Sequence, residues 1–133
     1  MGLERSEPVH AAADAVIRGV LLGLAVVATS TGVGVALRGP AFIPGGSPTV
    51  PSNDSVLRFY AVGWAAQGPA LWLLARDPEL DRARLEAICA TTFLGGLARL
   101  QASRSSGRPH PLFRALTFAE LVLPPVLVGL RRL

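Results

Sequence analysis

No charge falls between Arg18 and Arg38, and the interval is filled by GVLLGLAVVATSTGVGVAL, residues 19–37. Nineteen helical residues rise about 28 Å, close to the hydrocarbon thickness of a bilayer. A second run, FYAVGWAAQGPALWLLA, covers Phe59–Ala75 and extends back toward Ser55. A third occupies about Leu80–Ala102, and a fourth follows Pro111 to about Leu130. The segments between them are polar or rich in turn residues. RGPAFIPGGSPTVPSNDS, residues 38–55, has Pro and Gly throughout and no helical period. ARDPELDRAR and SRSSGRPHP are short polar turns. The pattern predicts one all-α domain over residues 1–133, an antiparallel four-helix transmembrane bundle with spans near 16–37, 55–75, 81–102 and 111–130. Only helices satisfy the backbone of such a segment inside lipid, and short second and third connections make their flanking helices neighbours.

Local signals refine the helix ends. Asn53, Asp54 or Ser55 is expected to cap the second helix, and Pro111 to open the fourth, where its missing N–H is no loss. Pro69, Pro124 and Pro125 fall inside the apolar runs and predict kinks. Gly19 and Gly23 share one helix face, and Gly95 and Gly96 stand mid-helix; both pairs are expected to let helices approach closely. Trp72 is placed near an interface, with Trp64 deeper.

Composition strengthens the membrane reading. The chain has 133 residues, half of them hydrophobic and 17% charged, with a mean hydropathy of +0.44. So small a domain cannot hide that much apolar surface from water. All thirteen basic residues are Arg, a bias that, with abundant Ala, Gly, Leu and Val, suggests a GC-rich bacterial genome. The net charge of +4 does not indicate nucleic acid, because the arginines flank apolar runs singly or in pairs. The leader before residue 19 carries Glu4, Glu7 and Asp14, which fits a cleaved signal poorly and predicts a retained first helix. The Gly2–Ser6 match to a myristoylation pattern is read as accidental.

With four spans, both termini share a side with the 76–84 connection. That side holds seven arginines: Arg5, Arg18, Arg76, Arg82, Arg84, Arg131 and Arg132. The other holds Arg38, Arg58, Arg99, Arg104, Arg108 and Arg114, or four once Arg58 and Arg99 count as helix residues. The excess predicts cytoplasmic termini in a bacterial inner membrane.

The chemistry rests on a few intramembrane polar groups. Glu120 lies nine residues beyond Pro111, about 13 Å into its helix, where a carboxylate needs a partner. Arg99 and Arg58 are the candidates, and Asp54 stands one turn before Arg58. Asn53, Asp54, Arg58, Tyr60, Trp64, Gln67, Arg99 and Glu120 form the candidate ligand pocket, under the long first loop. Glu86 is read as interfacial, paired with Arg82 one turn earlier. Cys89 is the sole cysteine, so no internal disulfide forms, and it is read as a buried apolar side chain. His10 and His110 are far apart and make no metal site; no cofactor is called for.

Three functions fit. The leading one is a membrane module whose polar cluster fixes the helices and holds a small lipophilic ligand. The second is an acid–base isomerase or cyclase acting on a lipophilic intermediate, with Glu120 as the catalytic proton donor or acceptor. The third is an accessory subunit with a membrane protein partner.

The ordered stretches SNDSVLRFYAVGWAAQG, FLGGLARL and GRPHPLFRALTFAELVLPP resemble a group of small bacterial four-helix membrane proteins catalogued only as a domain of unknown function. The likeness spans about residues 15–131 and is carried by Asn53, Arg58, Gly95, Gly96, Arg99 and Glu120. It implies four spanning helices and no established activity, and it groups both arginines with Glu120.

Overall fold

The computed structural model describes residues 6–132; Gly2 of the N-terminal motif and Arg5 of the charge tally lie outside them. The described chain is all-α: α1 Ser6–Arg38, a 3₁₀ turn Gly39–Phe42, α2 Pro51–Arg76, α3 Arg82–Ser106 and α4 Pro111–Leu130. It divides into two compact units. One joins α1 up to Arg18 with the chain from Asp77 onward; the other is Gly19–Arg76.

In the Gly19–Arg76 unit, α1 and α2 meet where glycine removes the side chain. A β-carbon on Gly32 would lie 2.5 Å from the Ala65 nitrogen and 2.7 Å from the Ala61 carbonyl oxygen. One on Gly68 would collide with the Thr29 hydroxyl and sit 2.8 Å from the Ala25 carbonyl oxygen. Leu21, Ala25, Ala28 and Gly32, three or four residues apart, form the buried stripe of this part of α1. Trp64 ties the helices again, donating from Nε1 to the Thr31 hydroxyl at 2.9 Å.

In the other unit, α3 packs on α4 at Gly96, where a β-carbon would be 3.0 Å from the Glu120 β-carbon and from Leu121. The expected contact at Gly96 is therefore present. Gly95, Gly19 and Gly23 behave otherwise: nothing lies within 4 Å of a β-carbon built on any of them. Small residues permit close approach but do not compel it, and the buried stripe of α1 passes beside Gly19 and Gly23 rather than through them.

The turn 77–81 is held by arginines from outside it. Arg18 donates to the carbonyl oxygens of Asp77 at 2.6 Å and Pro78 at 2.9 Å. Arg131 donates to that of Glu79 at 2.9 Å and lies 3.7 Å from the Asp14 carboxylate. Leu80 is fully buried at φ +48, a backbone region that leucine rarely adopts. Burial of its side chain and the carbonyl clamps hold it there.

Helix ends follow local chemistry. Asp81 caps α3 by accepting from the Arg84 N–H at 2.9 Å. His110, expected in a solvated turn, caps α4 through Nδ1, which accepts from the Leu112 N–H at 3.2 Å. Pro111 opens α4 as expected. The second helix starts earlier than its polar signals implied. It begins at Pro51, so Asn53, Asp54 and Ser55 lie within its first turns rather than at a cap. Pro51 presets the first helical φ, and the Asp54 N–H already bonds to the Val50 carbonyl at 3.1 Å.

Among the described residues, two helices are long and apolar enough to cross a membrane: the segment Glu7–Phe42, with a best-window hydropathy of 2.1, and Pro111–Leu130, with 1.6. Only 22% and 17% of those windows are buried. Helices α2 and α3 match them in length, but Gln67 and the charges at Asp54, Arg58, Glu86 and Arg99 dilute their apolar character.

Candidate polar sites in the two units

The candidate site residues form one polar constellation in each unit. In the first, Gly39 ends α1 with φ +63, a left-handed turn that suits glycine. Arg58 then reaches from α2 to the end of α1. Its Nη1 donates to the carbonyl oxygens of Ala36 and Leu37, both at 3.0 Å. The last carbonyls of a helix lack internal donors and carry partial negative charge, so a guanidinium there is doubly favourable. Arg58 Nε donates to Asp54 Oδ2 at 2.9 Å, the expected one-turn pair. Gly39 has no room for a side chain, since a β-carbon would sit 2.5 Å from Arg58 Nη2 and 2.6 Å from Asp54 Oδ1. That Oδ1 atom is buried with no hydrogen-bond partner.

The first loop folds over this end. Phe42 lies where a side chain on Gly34 would stand, and the Arg38 guanidinium is 5.8 Å from its ring centre. Turn bonds run from the Ile43 N–H to the Pro40 carbonyl at 3.0 Å and from the Gly46 N–H to the Ile43 carbonyl at 2.7 Å. Between loop and helix ends lies a cavity of about 270 Å³ lined by Arg38, Pro40, Ala41, Pro48, Thr49 and Asp54.

The second constellation joins α3 to α4. Arg99 Nε donates to Glu120 Oε1 at 3.1 Å. Oε2 is closer, at 2.9 Å, but it lies off the N–H direction and accepts no hydrogen bond. The Glu120 side chain is 19% exposed and that of Arg99 42%. The guanidinium also lies 5.6 Å from the Phe113 ring centre, in cation–π range. Gly96 makes the pair possible by letting the two backbones approach at Glu120. Pro124 and Pro125 add polarity here, because they lack the N–H groups that the Glu120 and Leu121 carbonyls would otherwise accept.

The candidate pocket residues thus fall into two pairs in different units: Asp54 with Arg58, and Arg99 with Glu120. Of the eight, Asp54 lines the loop cavity. Asn53 donates to the Thr49 hydroxyl at 3.4 Å. Tyr60 is 69% exposed and meets Phe59 edge-on at 5.7 Å. Trp64 is engaged with Thr31, and Gln67 is exposed on α2. Glu86 pairs with Arg82 at 2.8 Å, as its spacing implied, and Arg76 stacks over Trp72 at 4.8 Å. The carbonyl clamps of Arg18, Arg58 and Arg131 were not foreseen. A carbonyl acceptor leaves no mark on residue identity, so no sequence signal announces them.

No curated protein and no solved structure matches this chain. A family described as a domain of unknown function matches residues 16–130, nearly the whole span over which the sequence likeness was drawn. The chain therefore belongs to the DUF4345 family.

Proposed function

We propose that the chain is a four-span protein of the bacterial cytoplasmic membrane, with cytoplasmic termini, and that it works as a non-catalytic module holding a small lipophilic ligand at Arg99. The carrying observation is the coexistence of high hydropathy and low burial on α1 and α4. Core helices of a soluble protein would be covered by the chain itself, whereas lipid supplies the cover here. Large exposed side chains such as Val26, Phe59, Leu94 and Phe118 suit the same solvent.

Arg99 gives the ligand reading its chemistry. One N–H is committed to Glu120, and the exposed part of the guanidinium offers further donors beside an aromatic ring. A lipophilic molecule with a carbonyl or carboxylate oxygen suits that combination. Solvent extraction and mass spectrometry of protein purified in mild detergent test this reading. An oxygen-bearing lipophilic compound should accompany wild type and be lost from Arg99→Met. Identical extracts would contradict it.

One observation favours a second reading, acid–base catalysis on a lipophilic intermediate as an isomerase or cyclase. The Glu120 side chain is 19% exposed beside Arg99, so the carboxyl is not fully sealed from a substrate proton. Glu120→Gln would then keep the fold and abolish conversion.

A further inference from the structure

The loop cavity differs from the Arg99 region in charge and composition. Its lining carries one cation, Arg38, and one anion, Asp54. Arg58, the other charge at this place, does not line the cavity: its Nε donates to Asp54 Oδ2, its Nη1 to the Ala36 and Leu37 carbonyls, and its Nη2 lies beside Gly39. Asp54 Oδ1 is buried beside Gly39 and accepts no hydrogen bond, while the Asp54 side chain as a whole stays 33% exposed and lines the cavity. Arg38 is exposed and held near Phe42. The first turn of α2 lies on the same rim, and helix N-termini favour anions.

We propose that this cavity binds a zwitterionic headgroup made of a phosphate and a primary ammonium, supplied by a bilayer phospholipid. The phosphate pairs with Arg38, and the ammonium donates to Asp54. A cavity of about 270 Å³ suits a headgroup and is too small for acyl chains. Arg38 ends the uncharged run 19–37, which places the site at headgroup depth. The lipid source rests on the membrane reading above; the charge chemistry does not.

The requirement for N–H donors makes the proposal selective. A trimethylammonium headgroup carries the same charge but cannot donate to Asp54, and an anionic glycerol headgroup offers no cation. The full chain is exchanged into detergent and titrated with phosphatidylethanolamine, phosphatidylcholine, phosphatidylglycerol or diacylglycerol, with retention read by native mass spectrometry. Phosphatidylethanolamine should be retained about tenfold better than the other three, the scale of one charge-assisted hydrogen bond. Arg38→Gln should lower retention of both phosphatidylethanolamine and phosphatidylglycerol. Asp54→Asn should reduce the preference for ethanolamine over choline, because a neutral amide oxygen accepts more weakly than a carboxylate. Because Asp54 also positions Arg58, Arg38→Gln, which changes an exposed side chain, carries the test alone if Asp54→Asn fails to fold. Equal retention of phosphatidylethanolamine and phosphatidylcholine, or unchanged retention in Arg38→Gln, overturns the site. A parallel titration with O-phosphoethanolamine separates the sources. Binding of this soluble compound as tight as that of the lipid overturns the lipid assignment. Alkaline extraction of native membranes tests the membrane reading independently. Release of the chain there, with O-phosphoethanolamine still bound, would sink that reading and the lipid source while leaving the charge chemistry standing.

Discussion

Glu120 reaches Arg99 across two helices, whereas Asp54 reaches Arg58 along one. The difference decides what each pair can do. The Asp54–Arg58 pair follows from helical spacing alone, and its larger effect is to aim Arg58 at the end of α1. The Arg99–Glu120 contact exists only if α3 and α4 are in register, so it specifies an arrangement more than it adds stability. Removing one partner leaves the other without its counter-charge. Glu120→Gln should therefore lower stability in detergent by about 1–3 kcal/mol, short of the value for a fully buried pair because the Arg99 side chain is 42% exposed. Combining Glu120→Gln with Arg99→Met should cost less than the two single changes added together. Additive losses would show that the contact carries no coupling. An intact fold with lost turnover would instead move Glu120 into the catalytic reading.

The helices separate two kinds of glycine that look alike in sequence. Gly32 and Gly68 sit where α1 and α2 touch, and Gly19 and Gly23 do not. Gly32→Ala and Gly68→Ala should each destabilise by about 1–3 kcal/mol through overpacking. Gly19→Ala and Gly23→Ala should be neutral or stabilising by up to about 1 kcal/mol, since alanine is the better helix former. Thermal unfolding in one detergent compares all four, and equal losses would mean that the α1 face is misassigned. Much of this level was legible beforehand. Apolar run length gave the four helices, and Pro111 with the polar residues before it located the start of α4. The seam was not legible, because four glycines in similar surroundings differ only in their rotational position about the helix, which neighbours determine. The start of α2 departs from its polar signals for a related reason. Asn53, Asp54 and Ser55 are good caps in isolation, but Pro51 sets the helix first and Asp54 turns to Arg58. Of the candidate site, the polar residues and the Asp54–Arg58 pair could be read from charge and spacing, whereas Glu120's partner stayed open between Arg99 and Arg58, because the choice depends on how α3 packs on α4. The loop cavity could not, because it depends on Phe42 settling at Gly34 and on the left-handed turn at Gly39.

At the scale of the whole molecule, the central claim is that all four helices cross the bilayer. Helices α1 and α4 meet the requirement by hydropathy. For α2 and α3 the case rests on length and on the placement of their charges, since Asp54 and Arg58 lie near one end of α2 and Arg76 at the other. If only α1 and α4 crossed, the first loop and the 77–81 turn would share one side. If all four cross, they lie on opposite sides. Single cysteines at Ser47, Glu79 and Ser105, introduced into the full chain with Cys89→Ser, distinguish these cases through a membrane-impermeant maleimide applied to intact spheroplasts. The four-span account predicts labelling at positions 47 and 105, and protection at 79 until the membrane is permeabilised. Labelling of 79 together with 47 in intact spheroplasts would contradict it.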